Sequence, residues 1–545
     1  MLNYRLSIVK GNPMDRCDSR GRRVAMAVMA FLLACSPFSA SLGNSPSSSW
    51  QLEIPDMPSS LGQRIQISGL MKNDQFVPSG VEFNITADSG TSLPALPLGL
   101  PFQENLSARA FGVEERVEVV RDNDDAIRIH CRAGGKTAGV LLTPVSARFP
   151  LGASGKLRVQ AQGSSGFEWG VAPAGKDAHL LVPVIPSATG GLAAEIPLNQ
   201  VTAQIMADNQ PLSMALICPF TAADLKIDAI ALEPAQAAPA GLRAAWVWNA
   251  KRWNDNPQKL LNEAAALGLQ RLYIALDVPH GEDGVANVDR LSRFIALATA
   301  RKISVWAVEG DPNMVLPAGR EHALRRLQAI QRYQSSVPQA SRLGGLQYDI
   351  EPYLLSAYAS SPQEVGRQWA QTLHELKAQS QLKLDMVLPF WLRQSPMASL
   401  VLEALHKTAD SITIMAYRTT DSAIQQAAEP LLAWGTAQGM PVYVALEAGP
   451  LPDDVIQTYN AAKAGQPASL WLLPDGKGGR ALYFEKPVLL QKGTGYLTAG
   501  QITVPASRVS FLGDETALLK AGRNVLPALR AWSAYAGMVF HGLLD

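Results

Sequence analysis

Cysteine is scarce in this chain: four stand in 545 residues, at positions 17, 35, 131 and 218. Cys17 and Cys35 fall in the leader described below. Cys131 and Cys218 then either form one disulfide in an oxidising compartment or stay as buried thiols. Histidine is sparse too. His130, His179, His280, His322, His374, His406 and His541 include no HxxH or HxxxH pair, so neither a helical zinc site nor any other cofactor is expected. Charge of one sign is also lacking, with 48 Lys and Arg against 47 Asp and Glu and a formal net charge of +1. Such a balance gives no field to draw nucleic acid or an anionic membrane surface, and nucleic acid is not an expected partner. What the chain does have is 47% hydrophobic and 17% charged residues, the balance of a folded, soluble protein.

The N-terminus is a different kind of sequence. Arg16, Arg20, Arg22 and Arg23 precede an apolar stretch from Val24 to Ala34. It falls short of the roughly 20 residues that span a bilayer and fits a signal-peptide h-region, so export is expected, with residues 1–40 as leader. Leu32-Leu33-Ala34-Cys35 resembles a bacterial lipobox. Lipidation of Cys35 would anchor the protein at the outer membrane, whereas cleavage near Ser39-Ala40-Ser41 would release it to the periplasm or the medium.

Residues 41–234 read as a β-sandwich. Short alternating segments such as Arg64 to Ser68, Val117 to Val120, Lys156 to Gln160 and Ala229 to Leu232 are separated by Gly, Pro, Asn and Ser. Small residues at 235–241 form a linker. From 242 to 545 apolar strands alternate with helical stretches. The strands are Ala244–Trp248, Arg271–Leu276, Ser304–Val308, Gly345–Ile350, Leu384–Leu388, Ser411–Ala416, Pro441–Leu446 and Gly537–His541. The fold class expected is α/β, a C-terminal (β/α)8 TIM barrel preceded by an all-β sandwich, with a hairpin inserted at about 470–504.

Such barrels carry their chemistry at the C-terminal strand ends. The ends here present Asn249, Asp277, Glu309 with Asp311, Asp349 with Glu351, Phe390-Trp391, Tyr417-Arg418, Glu447 and His541. The fourth strand is the most informative. In Gly345-Leu346-Gln347-Tyr348-Asp349-Ile350-Glu351-Pro352-Tyr353, period-2 alternation puts Gln347, Asp349 and Glu351 on one face. Two acids on one face are costly in a core unless each is paired, and they fit a cleft where a proton is transferred.

This run, together with Met415-Ala416-Tyr417-Arg418, resembles the family-18 chitinases, whose fourth strand ends in DGxDxDxE and sixth in MxYD. Gly345, Asp349, Glu351, Met415 and Tyr417 match, whereas Gly344 and Gln347 replace the first two aspartates and Arg418 the last. The resemblance covers the barrel. It implies a glycoside hydrolase acting on a polysaccharide by substrate-assisted cleavage, with Glu351 as general acid, Asp349 orienting an N-acetyl group and Tyr417 supporting it. Glu351 is then expected to have a raised pKa. A second mechanism uses Glu447 as nucleophile, as in retaining barrel enzymes whose carboxyl groups stand about 5 to 5.5 Å apart. A third reading is a polysaccharide-binding lipoprotein that has lost turnover.

Aromatic residues fit a glycan cleft, because sugar rings stack their C–H faces on them. Trp246, Trp248, Trp253, Trp306, Phe390 and Trp391 are the candidates, Trp391 first because it follows Pro389 at a strand end. The substrate-binding set is Tyr417, Arg418, Trp391, Asp277, Asn249, Trp248 and His541. Arg418 either grips an acidic sugar or braces Glu351.

Overall fold

The computed structural model describes residues 49–544 except 55–56, 58–60, 73–74, 83–92, 123–125, 174–175, 209–211, 279–283 and 477. The leader with Cys17 and Cys35, and also His280, lie outside these residues.

Eight parallel strands close a barrel: Leu242–Val247, Arg271–Ala275, Ser304–Glu309, Leu346–Tyr348, Leu384–Pro389, Ser411–Met415, Val442–Glu447 and Tyr535–His541. Helices Pro257–Ala266, Val288–Ala300, Pro317–Ser336, Pro362–Gln379, Ala398–Thr408, Asp421–Gln438 and Glu515–Leu529 run between successive strands. No helix follows the eighth strand among the described residues. Near-continuous apolar strands are buried on both faces here, by the helices outside and by one another inside. Gly345 owes its identity to this packing. A Cβ there would stand 2.4 Å from Cζ3 of Trp306, so only glycine lets that indole lie in the barrel interior.

The barrel interior is partly polar. Gln347 and Asp385 are fully buried. The Gln347 carbonyl accepts from Trp246 Nε1 at 2.6 Å, and its amide donates to Asp385 Oδ2 at 2.6 Å. Ser411 and Thr413 donate to the same carboxylate at 2.6 and 2.7 Å. Lower in the barrel the Arg271 guanidinium lies 4.2 Å from the Trp306 ring centroid, and Nη1 donates to the Tyr273 hydroxyl at 2.9 Å.

The β structure divides differently from the sequence expectation. A six-stranded sheet (Ile185–Pro186, Leu192–Pro197, Gly155–Gly163, Ala223–Pro234, Ile127–Cys131, Val117–Arg121) belongs with a five-stranded one (His179–Pro183, Glu168–Pro173, Leu212–Ile217, Ala138–Pro144, Leu106–Gly112). Buried residues from both form one apolar core, and the disulfide Cys131–Cys218 ties the sheets together. The strands Trp50–Ile54, Arg64–Lys72 and Gln75–Glu82 are not part of this sandwich. They join Asp454–Ala461, Ala468–Pro474, Gly479–Val488 and Thr494–Val504 in a separate seven-stranded sheet. The insert is therefore four strands beginning at Asp454 rather than a hairpin over 470–504, and the N-terminal strands complete it. Its own core holds Ile54, Ile65, Ile67, Tyr459, Leu470, Leu472 and Tyr496, which explains the pairing, since apolar faces from two distant segments bury each other. The sandwich is fixed to the helix Asp421–Gln438. Arg148 makes a two-pronged pair with the buried Glu429 at 2.9 and 2.7 Å, and Gln425 exchanges two hydrogen bonds with the backbone of Leu98.

Candidate active site

The fourth strand ends at Tyr348, so Asp349 and Glu351 stand just beyond it rather than on one strand face. The Asp349 amide still donates to the Glu309 carbonyl at 2.8 Å, which fixes this segment against the third strand. Both acids are half-buried. Pro352 then starts a short 3-10 turn, Pro352–Leu354, that folds Tyr353 back so that its hydroxyl donates to Glu351 Oε1. Burial first, then the charge and hydrogen bond of Glu351 and the charges of Asp349 and Tyr417, push the Tyr353 phenol well above its usual pKa, so it stays a donor. The ring of Tyr353 meets Trp391 edge-on with centroids 4.9 Å apart. Trp391 is thus placed beside the acids, and Arg418 lies over Phe390 next to it, 4.3 Å from the ring centroid.

A second group surrounds His541. Its ring is parallel to Tyr417, 6.0 Å centroid to centroid, and perpendicular to Trp246 and Trp248 at 5.6 and 6.4 Å. His541 Nδ1 is bonded to Glu447 Oε2, and Glu447 Oε1 accepts from the Gly449 amide. Glu447 is only 2% exposed. The structure thus seats this glutamate in the wall between the seventh and eighth strands with both oxygens engaged, which is not the open carboxylate that attack on a sugar demands. His541, by contrast, keeps part of its ring exposed.

The remaining strand-end residues have the following partners and exposure. Glu309 is buried and held by Arg326 through bonds of 2.5 and 2.8 Å. Burial pushes its carboxyl up and Arg326 pulls it back, burial being the larger effect. Asp311 caps a 3-10 turn by accepting from the Asn313 amide at 2.7 Å. Asn249 accepts from the Lys251 amide at 3.1 Å, and Asp277 is exposed. Trp246, Trp253 and Trp306 are core, not cleft. Among the described residues no group of three or more His, Cys, Asp and Glu side chains is set to hold a metal.

Tyr353 and Asp385 are the residues that sequence reasoning passed over. A tyrosine directly after Glu-Pro, and a lone aspartate inside the apolar run Leu384–Leu388, were the available signals.

No family model matches the chain, and no curated protein matches it in sequence. Among solved structures it is similar to a class V chitinase from Cycas revoluta in complex with (GlcNAc)3, with 12% identity, 55% of this chain and 94% of that one covered, and a TM-score of 0.32. The spore cortex-lytic enzyme SleL of Bacillus cereus shows 11% identity, with 58% and 73% covered and a TM-score of 0.32. The chitinase-like agglutinin of Robinia pseudoacacia shows 13%, with 55% and 95% covered and a TM-score of 0.31.

Proposed function

We propose that the protein is an exported glycoside hydrolase of the (β/α)8 class that cleaves a polysaccharide, with Glu351 as general acid. The observation that carries this reading is the placement of Glu351 at the barrel mouth, half-buried, bonded to Tyr353 and flanked in sequence by Asp349. Since Oε1 accepts from Tyr353, the proton given to the leaving oxygen is held on Oε2. Asp349 and Tyr417 would orient an N-acetyl group that serves as internal nucleophile, and Trp391 and Trp248 offer faces for sugar rings.

Substrate assistance is preferred over a Glu447 nucleophile because Glu447 is enclosed and engaged on both oxygens. The test is reducing-end release from a panel of N-acetylated and non-acetylated glycans. Glu351→Gln is expected to lower turnover roughly 10²- to 10⁴-fold, the contribution of a general acid, with the circular dichroism spectrum unchanged. Wild-type binding without any cleavage would leave a polysaccharide-binding protein instead.

A further inference from the structure

The six-stranded sheet of the sandwich buries one face, where Leu157, Val159, Ile227 and Ile230 are fully enclosed. Its outer face carries a cavity of about 590 Å³, floored by Gln160 and Gln162 of the strand Gly155–Gly163 and walled by Asp228 and the loop before Leu192–Pro197. That volume lies within the ~300–1,000 Å³ of small-molecule sites. Local features hollow it out and hold it open. The residues paired with Gln160 on either side are alanines, Ala193 and Ala229, so no long side chain fills the flanks. Ile227 pairs with Ala161 and Ala229 with Gln160, which leaves Asp228 as the extra residue of a β-bulge and sets it on the cavity side. Gln103 pins the bulge, its amide donating to the Asp228 carbonyl at 3.3 Å and its carbonyl accepting from the Ile230 amide at 3.4 Å. The loop is closed by two backbone bonds, Ser187 to Gly191 at 3.0 Å and Gly190 to Ser187 at 3.1 Å. Gly191, at φ +71°, lies so near the floor that a Cβ would stand 2.8 Å from the Ala161 carbonyl oxygen.

The polar groups define what fits. The Gln160 and Gln162 amides are exposed and have no partner among the described residues. Each carboxamide offers donors and an acceptor, and the Ser187 and Thr189 hydroxyls, 3.0 Å apart, each do both. Asp228 has Lys226 at 3.6 Å, so the cavity presents no net positive charge to an anion. No aromatic side chain lines it, which leaves little for an apolar ligand. We propose that this cavity binds a residue of a neutral saccharide, as a second glycan site on the sandwich. Sugar hydroxyls donate and accept at adjacent carbons and so match a row of amides and hydroxyls, while Asp228 accepts from a hydroxyl and disfavours an acidic sugar. The inference goes beyond the hydrolase reading and holds or fails independently of it.

The test is affinity electrophoresis of the protein carrying Glu351→Gln, so that polymers stay intact, in gels containing dextran, laminarin or galactomannan, with polygalacturonate as acidic control. Retardation is expected in at least one neutral gel and not in polygalacturonate. Gln160→Ala combined with Gln162→Ala should raise the dissociation constant in that gel roughly 5- to 100-fold, the span of two neutral hydrogen bonds. The melting temperature should not change, because both side chains are exposed. Thr189→Val, on the loop, should weaken binding roughly 2- to 10-fold and carries the comparison if the double variant melts lower. Retardation in none of the neutral gels overturns the proposal. So does retardation that the variants leave intact, or a stronger effect of polygalacturonate. Reducing-end release with Glu351 in place reads the barrel separately. A protein that hydrolyses but is not retarded loses this site alone, whereas one that is retarded through Gln160 and Gln162 but cleaves nothing loses only the hydrolase reading.

Discussion

Replacing Glu447 separates a wall residue from a nucleophile. The carboxylate is 2% exposed, with one oxygen bonded to His541 and the other to the Gly449 amide. Glu447→Ala loses the bond to His541, worth about 1.5–3 kcal/mol, and leaves a buried amide without an acceptor at about 1–3 kcal/mol. The barrel should therefore lose about 3–5 kcal/mol, and His541 should lose its fixed orientation against Tyr417. Glu447→Gln keeps the volume and an oxygen for Gly449, so it should cost about 1–2 kcal/mol and lower turnover only modestly. Thermal unfolding of both variants, with reducing-end release in the presence and absence of azide, makes the comparison. If Glu447→Gln melts like the wild type yet loses turnover about a thousandfold, and azide restores it, Glu447 attacks the sugar and the argument from enclosure is wrong.

Two further outcomes follow from buried charge. Arg326→Met strands Glu309, which is 4% exposed, and should cost about 3–5 kcal/mol, whereas the double change to Met at both positions should cost less; equal losses in urea titration would refute the pairing argument. Asp454, the first residue of the insert's first strand, has its carboxyl pushed by burial from 3.8 to about 6, against the pull of the Val455 amide. The folded form then holds the proton more tightly than the unfolded chain. Stability accordingly falls as pH rises from about 4 to about 6 and is level above. Partial solvation reduces the full value of about 3 kcal/mol to roughly 1 kcal/mol. Asp454→Asn should remove that slope and melt higher than the wild type at pH 7, and a variant with the slope unchanged would contradict this account.

Most of the barrel was legible because each strand is an apolar run of the right length and each helix has its own period. The eight strand boundaries found differ from those expected by a residue or two. The seven-stranded sheet was not legible. Alternation tells which face of Trp50–Ile54 is apolar, but its partner, Gly479–Val488, lies far away in the sequence. A strand's edge carries no mark of the segment it will bond. The setting of Glu447 was not legible for a different reason. A carboxylate at a strand end was visible, but its meaning depends on the eighth strand, where His541 is its partner in register. A closed barrel makes the seventh and eighth strands neighbours, so this pair could have been inferred from the expected topology.

The glutamine at 347 has a physical explanation once position 385 is considered with it. The side chain sits between an indole N–H, which needs an acceptor, and the Asp385 carboxylate, which needs a donor. A carboxamide supplies both at once. An aspartate at 347 would satisfy Trp246 but would set a second negative charge against Asp385 in a fully buried space, forcing one of the two to take a proton. The buried acid therefore resides on the fifth strand, where Ser411 and Thr413 also donate to it and where its charge acts on Arg271. Gln347 and Asp385 are thus coupled, and substituting either one alone leaves a buried polar atom without its complement.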